Sequence, residues 1–217
     1  MMASKLAAPL RGRLQQAVRG IATIPEVLEP HIEVARREST KFHAELQHLQ
    51  ASPKTYQYEH VTSGQAYTPS TQTVKIPTSR PFGADVSESV RHETHHGYQH
   101  ERARTYFDSR YPKMSPTERS EVLSDFMHDP VHKTVFELSA LPSGIHTDTR
   151  PVTVDDVIQP MKNYWGKEGY SGDKAAVLKQ LFNHPAHEST RSALKKMNIS
   201  PEALRNAITP SFNPIKE

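Results

Sequence analysis

The pentad His92–Glu93–Thr94–His95–His96 sets two imidazoles and a carboxylate in the pattern His-Glu-x-x-His. At about 3.6 residues per helical turn, positions i and i+4 lie one above the other on the same face. On a helix, His92 and His96 can therefore both reach one metal ion. Glu93 follows the first ligand and flanks that face, where it can accept a proton from a metal-bound water without binding the metal. These are the requirements of zinc-assisted hydrolysis. The plainer reading is a solvated, histidine-rich helix face made of Arg91, His92, His95, His96, Gln99 and His100. Against it, Val86, Val90, Gly97, Ala103 and Phe107 suit packing. Gly97 also costs a helix about 1 kcal/mol, which points to a close contact at that position.

The motif needs a helix, and the flanking sequence supplies one. Asp85 as N-cap, with Glu88 three residues on, reads as a capping box that starts a helix running to about Phe107. Ser115, Pro116 and Glu118 repeat the start signal for a second helix carrying Val122, Leu123, Phe126 and Met127, which ends near Asp129–Pro130. Residues 131–140 form a third, with Val131, Val135, Phe136 and Leu138 apolar. After a break at Pro142–Ser143–Gly144, short helices are expected to start at Thr153, Asp173 and Ser200–Pro201. Upstream of the motif, Tyr56, Tyr58, His60 and Thr62 alternate as in a strand, and Thr71–Pro77 reads as another. Ser63–Gly64 and Pro69–Ser70 mark turns. A small antiparallel sheet is expected over 54–77, with no strand elsewhere. Before it, a helix opened by Pro25 or Pro30 should run to about Gln50 with Ile32, Ala35, Phe42, Leu46 and Leu49 on its apolar face. Residues 1–23 hold Lys5, Arg11, Arg13 and Arg19 but no acid, with Leu10, Leu14, Val18 and Ile21 at helical spacing. That pattern suits a surface helix or a targeting segment. The expected fold class is α+β, mostly helical, with an N-terminal helical segment over 1–50 and a catalytic domain over 51–217.

Residues 64–140 resemble the zincin metallopeptidases. Gly64–Pro77 is similar to the hairpin that precedes the motif helix in that family. In zincins an edge strand there lines the cleft and pairs with the peptide backbone, a case of β-strand addition. By resemblance that strand is 71–77 here, with Thr73, Val74 and Lys75 as substrate-binding residues. The family needs a third protein ligand. The metzincin subgroup would place a glycine and a histidine where this chain has Gln99 and Arg102, so it is not a metzincin. The gluzincin subgroup takes a glutamate from a later helix, and Glu137 fits best, in the Glu-x-x-Ala run Glu137–Leu138–Ser139–Ala140. Glu118 reads as spent on its capping box and Glu121 lies on the intervening helix, while His95 and His100 are further alternatives. A donor for the oxyanion is implied in the C-terminal part: His146 first, with Tyr164 and Tyr170 as other candidates. Asp125, Asp129 and Asp148 are candidates to orient the metal-bound histidines. The resemblance implies zinc as cofactor and a protein or peptide as substrate, cut by a monomer. Small cysteine-free zincins also resemble secreted bacterial effectors and toxins, for which the acid-poor N terminus would suit export outside the Sec route.

Composition narrows the alternatives. The 217 residues include 13 histidines, 17 prolines and no cysteine, which excludes disulfides, cysteine-ligated metal and a cysteine nucleophile. A net charge of +3, spread along the chain, gives no nucleic-acid footprint. No apolar run approaches the roughly 18 residues of a membrane span. One other metal chemistry fits: Glu45–Leu46–Gln47–His48 and Glu93–Thr94–His95–His96 are both Glu-x-x-His, the pair used by di-iron helical bundles. A zincin-like module that only binds a partner is a third reading, in which the general base Glu93 would have no purpose.

Overall fold

In the computed structural model the described residues are 21–64, 66–77 and 85–209. The basic N-terminal pattern lies outside them except for Ile21, which begins a strand, not a helical turn. No helix among the described residues is long and apolar enough to cross a membrane.

Four short strands, β1 (Ile21–Thr23), β2 (Tyr56–Val61), β3 (Ala66–Thr68) and β4 (Thr73–Pro77), form one sheet in the order β1-β2-β4-β3. The sheet is mixed, which corrects two expectations. β1 pairs parallel with β2, so a strand exists outside 54–77, and β2 pairs parallel with β4. Only β3 and β4 form the antiparallel hairpin. The register aligns Tyr58 with Val74, which brings the buried faces of β2 and β4 together. β3 takes the outer edge, so the excursion from Val61 to Thr73 supplies the crossover that parallel pairing requires.

Among the described residues, nine α-helices pack with the sheet. The long one expected up to Gln50 is two, α1 (Glu29–Glu38) and α2 (Thr40–Ala51). Ser39 separates them in extended backbone and caps the second by accepting from Phe42 N at 3.2 Å. Both helices bury Ile32, Ala35, Phe42, Leu46 and Leu49 in one core with Tyr56, Tyr58, Val74, Ile76 and Val90. The described part of 1–50 is therefore continuous with the sheet layer and is no separate surface segment.

The motif helix, α3 (Val86–Arg110), starts where expected: Asp85 accepts from Ser87 N at 2.8 Å. α4 (Pro116–His128) opens with the expected Ser115–Glu118 capping box. α5 runs Pro130–Ile145, straight through Pro142. The break predicted there does not form, because the last turn is packed and bonded: Arg91 Nε donates to Gly144 O at 2.8 Å and Ser143 Oγ donates to Ser139 O. Four short helices follow: α6 (Val154–Met161), α7 (Lys174–Asn183), α8 (Glu188–Lys196) and α9 (Pro201–Ile208). They bury Val157, Leu181, Leu194 and Leu204 with Val135 and Leu138 of α5. A third cluster joins α3, α4 and α5 through Phe107, Phe126 and Phe136.

That third cluster contains a titratable weak point. His187 is fully buried, its Nε2 lies 2.9 Å from His132 Nδ1, and its own Nδ1 has no hydrogen-bond partner. Burial, and then the neighbouring His132 and His184, push its pKa down to about 2. The unfolded chain would take that proton near pH 6.5. Between those values the unfolded state binds more protons, so stability falls as pH drops, by about 1.4 kcal/mol per unit for one proton. Chemical unfolding at pH 7 and pH 5 should show this loss, and His187→Phe should reduce it. Equal losses in both chains would rule His187 out as the cause.

Candidate metal centre

α3 presents His92 and His96 one turn apart, with the rings 4.7 Å between centroids and nearly perpendicular. Their Nε2 atoms are 3.2 Å apart. α5 crosses this face and delivers Glu137: Oε2 lies 3.7 Å from His92 Nε2 and Oε1 3.5 Å from His96 Nε2. The crossing is close because α5 carries a glycine at the contact. A β-carbon on Gly144 would lie 3.1 Å from Glu88 O and 3.4 Å from His92 Cβ. In a tetrahedral site with bonds of about 2.0–2.1 Å, neighbouring ligand atoms are about 3.3–3.4 Å apart. Each histidine nitrogen therefore lies near tetrahedral spacing from one Glu137 oxygen, and one donor atom from each of the three residues lies within 4.8 Å of the others. Among the described residues, His92, His96 and Glu137 are the group placed to hold a metal ion.

The outer contacts fit that use. His96 Nδ1 lies 3.0 Å from Gln99 Oε1, and the ring of His92 is hydrogen-bonded to the backbone of Ala140. In each ring one nitrogen is tied and Nε2 faces the cluster. Gln99 is itself fixed, since Nε2 donates to Phe136 O and Ser139 Oγ, both at 2.9 Å. Ligating histidines commonly donate their second N–H to such a partner. Glu137 Oε2 is buried with no hydrogen-bond partner, a costly state for a carboxylate oxygen that a cation would relieve. Burial alone would raise the Glu137 carboxyl, but the charge and hydrogen bond of His96, then His92, hold it down to about 2. His96, which burial alone would lower, is raised to about 9 by Glu137. His92 is pushed down to about 3 by burial and by His96.

Glu93 is buried beside the ligands, with Oε1 3.6 Å from His92 Nε2. All four residues line a cavity of about 310 Å³ that also meets Tyr67 from β3, Lys133 from α5, Tyr164 and Tyr170. Tyr170 donates its hydroxyl to Glu137 Oε1 at 3.3 Å. Its loop is pinned to α5 by Ser171 N, which donates to Thr134 Oγ1 at 2.8 Å.

Several expected residues lie elsewhere. His146 caps the C terminus of α5 among Lys41, Asp148 and Arg91 and does not line the cavity. The two tyrosines occupy the place expected of it. Thr73, Val74 and Lys75 are paired on both sides, with β2 and with β3, so β4 has no free edge for a peptide. β3 is the edge strand, and Ala66 and Tyr67 meet the cavity. His95 spends both nitrogens behind the helix, Nδ1 on Glu45 and Nε2 on Ser139 Oγ, each at 2.9 Å. His100 Nδ1 lies 3.0 Å from Tyr67 OH. Glu118 is in its capping box, Glu121 and Asp125 are exposed, and Asp129 caps α5. Asp148 accepts from Thr40 N at 3.0 Å. Glu45 is bonded to Lys41 and His95, so the paired Glu-x-x-His motifs do not share a centre. The residues that sequence reading missed are Gln99 and Lys133. Gln99 had a usable signal, its i+3 spacing from His96. No family model, curated protein or solved structure matches the chain.

Proposed function

We propose that this chain is a zinc-dependent metallopeptidase that hydrolyses a protein or peptide substrate. One observation carries the reading: His92, His96 and Glu137 converge at coordination distance with the buried carboxylate of Glu93 beside them in the same cavity. A two-histidine, one-glutamate set is a catalytic zinc set that leaves one position open. Zinc held there would polarise the scissile carbonyl and bring the pKa of a water toward about 7. Glu93 takes the proton from that water and passes it to the leaving amine. The hydroxyls of Tyr170 and Tyr164 face the same space and can donate to the oxygen on which charge develops. Both phenols are held neutral, and thus able to donate, by burial and by the nearby Glu137, with Tyr164 pushed up to about 12. Tyr67, on the edge strand β3, forms the opposite wall.

Elemental analysis of the purified chain should find one zinc per molecule. Peptide hydrolysis should disappear on chelation and return with added zinc. Iron in place of zinc would move the same ligands to oxygenase chemistry, and zinc without hydrolysis of any protein or peptide would remove the peptidase reading.

A further inference from the structure

Among the described residues, the cavity contains one cation that no carboxylate engages. Lys133 stands one turn before Glu137 on the same face of α5. Its ammonium lies 4.4 Å from the centroid of the Tyr170 ring, the ring whose hydroxyl bonds Glu137. Gly169 lies beside it, where a β-carbon would make ordinary contact with the ammonium at 3.5 Å. Among the described residues no carboxylate lies within ion-pair distance of it: Glu137 faces His92 and His96, and Asp129 accepts from the backbone N–H groups of Val131 and His132. A ring face attracts an ammonium but accepts none of its hydrogen bonds in the ordinary sense, and lysine has three donors to place.

Charge counting sharpens the point. Glu93 and Glu137 bring two negative charges to the cavity, which a divalent ion balances. Lys133 is then the surplus positive charge. The adjoining recess, about 430 Å³ and reached past Pro69, Met127 and His128, is also lined by Lys54, but none of His92, His96 and Glu137 borders it. Its guanidinium groups are already engaged, Arg104 by Glu101 and Asp108, and Arg119 by Asp108.

We propose that Lys133 is a specificity-determining residue that binds a carboxylate of the substrate within two residues of the bond presented to the metal centre. One helical turn separates Lys133 from Glu137, about 5–6 Å between β-carbons, and an extended peptide advances about 3.3 Å per residue. The carboxylate is that of an aspartate or glutamate side chain or of a free C terminus. The naming of the substrate as a peptide rests on the metallopeptidase reading.

The test is binding, read separately from cleavage. Zinc-loaded full-length Glu93→Gln protein is titrated with fluorescein-labelled peptides. One series exchanges glutamate for glutamine at each position, and the other ends in a carboxylate or an amide. A charged hydrogen bond of this kind predicts about tenfold tighter binding of the acidic member. The series that shows the preference identifies the source of the carboxylate. Lys133→Met should remove the preference, and Lys133→Glu should reverse it toward lysine-bearing peptides. Equal affinities for charged and neutral peptides, a preference that survives both substitutions, or no peptide binding at all would overturn the proposal. Cleavage by the wild-type chain decides the other question. Charge-selective binding without cleavage would leave this proposal standing and remove the peptidase, whereas cleavage indifferent to charge would do the opposite.

Discussion

Glu93→Gln is expected to lower peptide hydrolysis by at least about a thousandfold, within the range by which a positioned base accelerates such a step, while one zinc per chain is retained. Glutamine matches glutamate in shape, so the side chain can keep its place beside His92, where the carboxylate now lies 3.6 Å from Nε2. It cannot take a proton from water. Because Glu93 is only 3 % exposed, an alanine would leave a hole and mix a packing defect with the chemical one; the isosteric change separates them. Three quantities should be measured together: turnover on a peptide that the wild type cleaves, zinc content, and unfolding midpoint. Turnover within tenfold of wild type, with zinc bound, would exclude Glu93 as the base. Loss of zinc would mean that Glu93 serves the metal itself.

Glu137→Ala should raise the dissociation constant for zinc by more than about a hundredfold, beyond the 10–100-fold that loss of a supporting outer contact commonly costs. The change removes the only acidic donor of the triad. Neither neighbouring histidine can replace it without breaking an existing contact: His95 is held by Glu45 and Ser139, and His100 by Tyr67. Glu137 is 5 % exposed on a helix whose other buried positions include Val135, Phe136 and Leu138. A Glu137→Gln chain therefore serves as the folding control, keeping the volume and removing the charge. Titration against a competing chelator gives the affinity, and circular dichroism reports whether the helices survive. Wild-type affinity in both variants would dismantle the three-residue site.

The parts of this protein legible in its sequence are those set by neighbours a few residues apart. The helical repeat alone puts His92 and His96 on one face. Side chains that bond backbone N–H groups two or three positions on mark the starts of α3, α4, α6, α7 and α9 at Asp85, Ser115, Thr153, Asp173 and Ser200. Glu137 was the best fit by resemblance to the gluzincin glutamate helix, with one helix between it and the motif to bring the chain back. Ser39 was equally local, a capping residue inside what otherwise reads as one continuous apolar stripe.

What remained belongs to contacts between distant segments. Alternation shows that β2 and β4 are strands but not that they run parallel, because pairing direction depends on where the crossover can pass. Once β3 occupies the outer position, β4 loses the free edge that a substrate strand would need. Pro142 breaks an isolated helix, yet here the turn is held by Arg91 and by packing against α3, and burial outweighs the missing N–H. The lining of the cavity is decided in the same way. His146 and Tyr170 are both polar residues of the C-terminal part, and only the anchoring of one loop to Thr134 decides which of them reaches Glu137. Sequence by itself placed His92, Glu93 and His96 on one helix, through helical spacing; the tertiary structure brought Glu137 to them and set the contacts of Gln99, the cavity wall and the place of Lys133, because those depend on which helices are allowed to touch.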